Sequence, residues 1–555
     1  MARRRPEAAR RNAPPRAGWL DGMVCAHGLP RLAALFAVAA LALYARALPG
    51  PFVSDDLHYV ATNPYVHDPS AANLVAILDP SSPATVMIVN YAPVQMLTHA
   101  LEWQIFGEHT AGYHVVNVLL HALGAALLVL VFAQAGLAPA PALIGGLLFL
   151  VHPANVEAVA WVSQLKSPAS FVLSLAALLA HRRSPALAAA CFGLALLAKP
   201  TAVFALPVAA LLDWTRGERV RLAWLGVWAA LFAAYAGAEF WTHQRSGAAE
   251  PIAADLAVRL RTSVAIAARY LWMSVTSFGV STFHEPAPSP GWADPVWLAG
   301  LAAIAAIAVR SLIALRRRSA EAAFWAWAVA SFLPVSQLFP FLYPMADRYL
   351  YFILPGLIGA ALFALRDASA RFCALRSAVA QARIRRAALA AGLALAACFA
   401  ARAAARAAIW ASPAAILNDS ALHYPDGRTG HLVRARRAAQ AGDADTAVAN
   451  LRAAFALGFN RFEQLQGGDD RDVAFDPVRD DPRFQAVVRD MAGWWVERLS
   501  VVPAPTQLEL RTLAVAHLAR GERDAAIAAL ERAIARGGPL DARLRGELEL
   551  VRSAR

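Results

Sequence analysis

The sequence predicts an all-α chain: a polytopic membrane helical bundle followed by a soluble helical domain. Three observations predict it. Of 555 residues, 58% are hydrophobic and only 16% charged, with mean hydropathy +0.44, whereas soluble domains carry about 25% charged residues. Apolar runs recur through most of the chain before Trp410, many near the ~20 residues that cross a hydrocarbon core. The net charge of +13 gathers in short clusters between those runs: MARRRPEAARR, His181-Arg182-Arg183, Arg316-Arg317-Arg318, and Arg366 to Arg386. Such clusters mark cytoplasmic ends of spans. No nucleic-acid motif accompanies them, so nucleic acid is excluded as a partner.

Residues 1–30 read as a basic cytoplasmic tail and 31–409 as the membrane domain. The first apolar run, Arg31 to Leu48, is longer than a signal-peptide core. No small-residue cleavage site stands before the acidic residues that follow, so it reads as an uncleaved span over about 31–49. A long first extracytoplasmic loop, 50–111, comes next. Spans at about 112–134 and 142–160 are joined by the Gly136-to-Pro141 turn. The span at 168–180 ends inside, at His181-Arg182-Arg183. Two short spans meet outside at Lys199-Pro200, and the second ends inside at Asp213-Trp214-Thr215-Arg216. A span at 222–242 goes out. Ala257 to Val280 carries Arg259, Arg261 and Arg269 among apolar residues; arginines are costly in a lipid-facing span, so an interfacial helix is expected. Spans at 295–313, 322–340, 347–365 and 387–409 complete about eleven spans plus one interfacial helix. The four cysteines, Cys25, Cys191, Cys373 and Cys398, are far apart and suggest neither a metal site nor a disulfide framework.

From Trp410 the composition is soluble. ARRAAQAGDADTAVANLRAAFALGF and LAVAHLARGERDAAIAALERAIARGG resemble each other, each a helical hairpin with its turn at Gly442 or Gly521. Tetratricopeptide-like repeats are expected over 410–555. The charge pattern places this domain outside the cytoplasmic membrane, periplasmic where the cell has a periplasm.

Four polar groups fall at the outer ends. Asp55 and Asp56 leave the first span in FVSDDLHYVATNP, with His58 beside them. His152, Glu157 and Lys166 lie in LVHPANVEAVAWVSQLKS. Asp347, Arg348, Tyr349 and Tyr351 lie in FLYPMADRYLYF, and Lys199 stands between two short spans. Each has an ordinary reading: helix caps, interfacial anchors, belt aromatics with Trp161. Together they suit one chemistry. A lipid-linked sugar phosphate keeps its tail in the bilayer and its phosphate at the interface. A carboxylate there takes the proton of an acceptor hydroxyl, while Arg348, Lys166 and Lys199 stabilise the phosphate that leaves. Asp55 and Asp56, with His58, could also hold a divalent cation, although an Asp pair is a weak metal signal. His114, Asn117 and His121 share one face of the second span; hydrogen bonding between helices is the favoured reading for them.

The ordered set SDDLHYVATNPYV, YHVVNVLLHALGAALL, LFLVHPANVEAVAWVSQLKS, LALLAKPTAVFALPVAALLDW and ADRYLYFILPGL resembles bacterial relatives of the transmembrane and tetratricopeptide-repeat O-mannosyltransferases, of the GT-C glycosyltransferase superfamily. The resemblance implies a GT-C membrane fold, a polyprenyl- or dolichyl-phosphate sugar donor, and an extracytoplasmic protein or glycan acceptor. It implies that Asp55 or Asp56 is the catalytic acid of the first loop. It matches His152, Glu157 and Lys166 to one motif and Arg348 to another. Two positions depart from the family pattern: Ala92 where an Arg is common, and Pro200 where an acid is common. The function expected is an integral-membrane transferase moving a mannose-like sugar. An oligosaccharide ligase using a pyrophosphate-linked glycan, or a non-catalytic repeat scaffold, is the alternative. No internal repeat of broken helices points to a transporter.

Overall fold

The computed structural model describes residues 22–88, 90–246, 252–253, 255–338, 343–373, 376–466 and 471–553. Most of the expected basic tail, residues 1–21, lies outside them. Among the described residues every regular element is helical. The main helices are α1 Leu29–Tyr44, α2 Pro93–Phe106, α3 Thr110–Gln134, α4 Pro139–Leu150, α5 Val156–Ala160, α6 Lys166–Ala180, α7 Pro185–Ala198, α8 Ala205–Thr215, α9 Leu222–Ser246, α10 Leu256–Thr276, α11 Pro295–Arg316, α12 Glu321–Phe332, α13 Asp347–Cys373 and α14 Ala378–Ala407. The C-terminal part adds α15 Pro413–His423, α16 Arg428–Gln440, α17 Ala444–Ala456, α18 Pro482–Ser500, α19 Gln507–Ala519, α20 Arg523–Arg536 and α21 Asp541–Ser553.

Their starts are written locally. Proline occupies the first turn of α2, α4, α7, α11, α15 and α18, where its fixed φ suits the helix and its missing N–H costs nothing. Asp255, Asp294, Ser377, Asp443 and Asp481 cap α10, α11, α14, α17 and α18 with side-chain oxygens. Thr506 and Glu509 form a reciprocal capping box on α19.

Six helices, or stretches around them, are long and apolar enough to cross a membrane. A bent pair, α4 and Pro153–Ala160 at 50°, makes a seventh candidate. The first span and three others expected from the sequence are shorter apolar helices: Leu29–Tyr44, Pro185–Ala198, Pro200–Thr215 and Glu321–Val335. The helix expected at the interface, α10, is not among the long apolar candidates. Its Arg261 turns into the protein, stacked 4.7 Å from the Trp292 ring centroid and donating to Ser289 O at 3.3 Å.

α3 is the hub, packed on α1, α4 and α6. Its apolar window is 72% buried, against 11% for α11 and 17% for α9. α11 therefore presents Leu298, Leu301, Ile304, Val309 and Leu312 outward, which no aqueous surface of that extent tolerates. The chain is a multi-pass membrane protein. α12 and α13 pack closely because Gly356 is a glycine: a Cβ there would lie 2.5 Å from Ala328 N and 2.8 Å from Phe324 O.

The bundle has two chemically distinct ends. At one end, His181 Nε2 and Arg182 meet Asp213, Arg216 donates to Gln134 O, and Arg318 lies over Trp214. These are the basic clusters. The loops after α1, α5 and α10 and before α13 meet at the other end. Much of the first loop is helical. It holds Pro64–His67, Ala71–Leu78 and α2 around a small apolar core of Tyr59, Val60, Tyr65, Val66, Ile77 and Met96.

The C-terminal helices form packed pairs, α16 with α17 and α19 with α20. The expected turns are where the sequence put them, with Gly442 at φ +75 and Gly521 at φ +79, a region open to glycine at little cost. This domain docks on the end of the bundle that carries the loops after α1, α5 and α10. Thr282 N and Oγ1 bond Asp419 and Ile416 O, and Glu285 accepts from the Thr429 N–H and hydroxyl.

Candidate active site

The two adjacent carboxylates stand in different surroundings. Asp56 is fully buried. Its Oδ2 accepts from Val53 N at 3.0 Å and its Oδ1 from Ser163 N at 2.7 Å. Ser54, at φ +53, turns the chain so that the carboxylate curls back on Val53. Trp161 closes the same seam from the other side, its Nε1 donating to Val53 O at 3.2 Å. Burial pushes the Asp56 carboxyl up to about 7, against the two N–H donors that favour its ionised form. Asp55 is only partly buried. Its charge acts on Lys166, Tyr59 and Tyr343. Burial, with the Asp55 charge added, raises both the Tyr59 and Tyr343 hydroxyls.

Arg348 stands in the first turn of α13. Its backbone N–H donates to Glu157 Oε2 at 2.6 Å and its guanidinium pairs with Glu157 Oε1. Three aromatic rings box it: Tyr343 at 4.7 Å, Tyr349 at 5.1 Å and Trp161 at 5.4 Å from their centroids. Lys166 begins α6 with its ammonium 5.1 Å from the Tyr59 ring. Lys199 donates to Ser167 Oγ at 2.7 Å and stands 5.4 Å from the Phe352 ring. Lys199 lies within electrostatic reach of Lys166, Arg348 and Glu157. Lys166 and Arg348 are buried and Lys199 is half-buried, and the three basic groups share one neighbourhood in which Glu157 is bonded to only one of them. Such an excess is costly without an anion.

His152 is buried beside this group but tied to backbone: Nδ1 accepts from Ala154 N at 3.2 Å and Nε2 faces Ser274 O at 3.1 Å. His58 is exposed on the turn Leu57–Ala61. The stripe on α3 bonds between elements as expected. His114 reaches Gly50 O, Asn117 reaches Trp161 O and Val162 O, and His121 reaches Leu150 O and the Tyr351 hydroxyl.

The donor set does not fit a divalent cation. Asp56 commits both oxygens to N–H donors. Among the described residues no group of three or more His, Cys, Asp or Glu converges.

Other residues take places that the sequence does not show. Trp161, read as an interfacial belt residue, is buried and stacks 5.5 Å from Trp410. Glu239, near the end of α9, accepts from Tyr91 N at 2.7 Å and lies within electrostatic reach of Lys166. Asp347 does not face the cations; it meets buried His284 at 2.7 Å and Arg406 at 3.7 Å. An isolated acid in an apolar helix was the one usable hint for Glu239.

No protein-family model matches the chain, and no solved structure matches it. Curated proteins do. The human protein O-mannosyl-transferase TMTC1 is 34% identical over 162 residues, 27% of this chain and 18% of the relative. Human protein O-mannosyl-transferase TMTC4 is 30% identical over 170 residues, 26% and 22% of the two chains. The Caenorhabditis elegans protein O-mannosyl-transferase F38B6.6 is 30% identical over 148 residues, 25% and 21%. The match covers about a fifth of the length of these curated relatives. Over about a quarter of its own length, the chain is similar to curated protein O-mannosyl-transferases.

Proposed function

We propose that this chain is an integral-membrane glycosyltransferase of GT-C type. It moves a mannose-like sugar from a polyprenyl-phosphate donor to a hydroxyl on an extracytoplasmic protein or glycan. One observation carries the reading: a partly exposed carboxylate, Asp55, lies within electrostatic reach of buried Lys166, which shares its neighbourhood with buried Arg348 and half-buried Lys199 at one end of an apolar bundle. The names of the similar proteins support a sugar transfer to protein.

In this reading all eleven apolar segments cross the cytoplasmic membrane of a bacterium, with α10 at the interface. The tetratricopeptide-like domain lies on the periplasmic side. The donor's isoprenoid lies along the bundle and its phosphate meets Lys166, Lys199 and Arg348. Asp55 takes the acceptor proton as the hydroxyl oxygen attacks the anomeric carbon. The carbon–phosphate-oxygen bond breaks, and the three cations stabilise the phosphate released. Asp56 fixes the turn that aims Asp55, Glu157 holds Arg348, and His152 holds the turn before Glu157. Tyr349 packs on Arg348; His58 lines the outer approach.

The test is transfer of label from polyprenyl-phosphate mannose in native membranes, with the unaltered chain beside Asp55→Asn and Asp56→Asn. Label reaching an acceptor, and lost with Asp55→Asn, supports the assignment. No transfer by a folded, inserted protein rejects it and favours a pyrophosphate-linked donor or a scaffold.

A further inference from the structure

Three successive residues at the start of α13 are each gripped by different elements. The Tyr270 hydroxyl of α10 accepts from Ala346 N at 3.0 Å and lies 3.3 Å from Ala346 O. Asp347 meets His284 at 2.7 Å and Arg406 at 3.7 Å. Arg348 gives its N–H and its guanidinium to Glu157. Asp347, His284 and Arg348 are all buried, and a buried carboxylate persists only with partners. The partners of Asp347 come from other elements than the one that holds Arg348.

Both of those partners are themselves held by the C-terminal domain. His284, in the stretch between α10 and α11, donates through Nε2 to Asp347 Oδ1, which leaves Nδ1 to accept from the Tyr424 hydroxyl at 2.9 Å. Tyr424 is the residue at which α15 ends. Arg406, near the end of α14, puts both terminal nitrogens on Asp419 of α15, at 3.1 and 3.2 Å. Asp419 also accepts from Thr282 N at 2.9 Å, two residues before His284. One helix, α15, thus stands behind both groups that meet Asp347.

We infer that Asp347 and His284 are positioning residues for Arg348. Through them α15 sets the first turn of α13, so the C-terminal domain completes the donor-phosphate site rather than serving the acceptor alone. The inference rests on the transferase reading above and adds the residues that place its phosphate-binding arginine. Asp347 and Arg348 are neighbours on one turn, so a backbone shift at the first carries the second. A displacement of about 1 Å in a reacting site can cost a hundredfold in rate.

The test uses the full chain in native membranes, with labelled polyprenyl-phosphate mannose as donor and a synthetic Ser/Thr peptide as acceptor. Tyr424→Phe removes one hydroxyl and keeps the ring. It is expected to raise the donor KM roughly three- to tenfold, the worth of one hydrogen bond, with the peptide KM unchanged. Asp347→Asn is expected to raise the donor KM further, and the double variant to be no worse than Asp347→Asn, because both act along one path. A purely structural role lowers Vmax through fewer folded molecules and leaves both KM values alone. Thr429→Val, which removes a different bond of the same domain, to Glu285, is expected to leave the donor KM unchanged. An unchanged donor KM in Tyr424→Phe and Asp347→Asn overturns the inference and leaves the transferase reading standing. So does an equal rise in Thr429→Val, a rise in the peptide KM alone, or multiplied effects in the double variant. No transfer by the unaltered chain overturns the transferase reading and, with it, the inference.

Discussion

Glu157→Gln is the most informative single change. Glu157 is 2% exposed and Arg348 7%. The carboxylate accepts from the Arg348 N–H at 2.6 Å and pairs with its guanidinium. Gln keeps the shape and one acceptor oxygen but removes the charge, leaving a buried guanidinium uncompensated. Removing one partner of a buried pair costs about 3–5 kcal/mol, so the solubilised protein should melt many degrees lower. A second variant, Glu157→Gln with Arg348→Met, removes the stranded charge as well. Replacing a buried pair by apolar groups is often close to neutral, so most of the lost stability should return. Transfer should not return, because Arg348 would no longer meet the phosphate. The assays are melting in detergent and label transfer in membranes, run on the same preparations. Two results refute the reasoning. Unchanged melting of Glu157→Gln means the pair is not a buried ion pair. Transfer restored in the double variant means Arg348 does not act on the donor.

Asp55→Asn should lower kcat by ~10² to 10⁴, the usual worth of a general base, with donor KM within a few-fold; a loss under tenfold assigns the base elsewhere. Burial holds the Asp56 carboxyl near 7, above the ~3.9 of a free aspartate. Between those values the folded loop binds more protons than the unfolded chain, so its stability falls as pH rises from about 4 to 7 and levels off above. Amide exchange at 53–63, corrected for intrinsic rates, should show that slope, and Asp56→Asn should flatten it. A slope of opposite sign would reject the buried assignment. His284 is buried between Asp347 at 2.7 Å and the Tyr424 hydroxyl at 2.9 Å. His284→Ala should loosen the C-terminal domain and speed proteolysis at 424–428; an unaltered cleavage rate would mean the domain docks without it.

The sequence by itself determined the class of fold. Hydropathy and charge are sums over neighbours in the chain, so spans, basic ends and the turns at Gly442 and Gly521 were legible, along with most helix starts, which proline and short polar caps write locally. It also supplied the cast of the candidate site: Asp55, Asp56, Glu157, Lys166, Lys199 and Arg348 each stood out as a charge at the edge of an apolar run. What it left open was partnership. Asp55 and Asp56 are equivalent as letters; only the return of Ser163 N to Asp56, 107 residues away in sequence, makes one a buried staple and leaves the other partly exposed. Glu157 and Arg348 are 191 residues apart, and Thr429 and Leu508 meet Glu285 and the first loop only because the C-terminal helices fold back onto them. Those contacts depend on how helices pack across the whole chain, and a buried charge acquires its role from the partner that packing delivers.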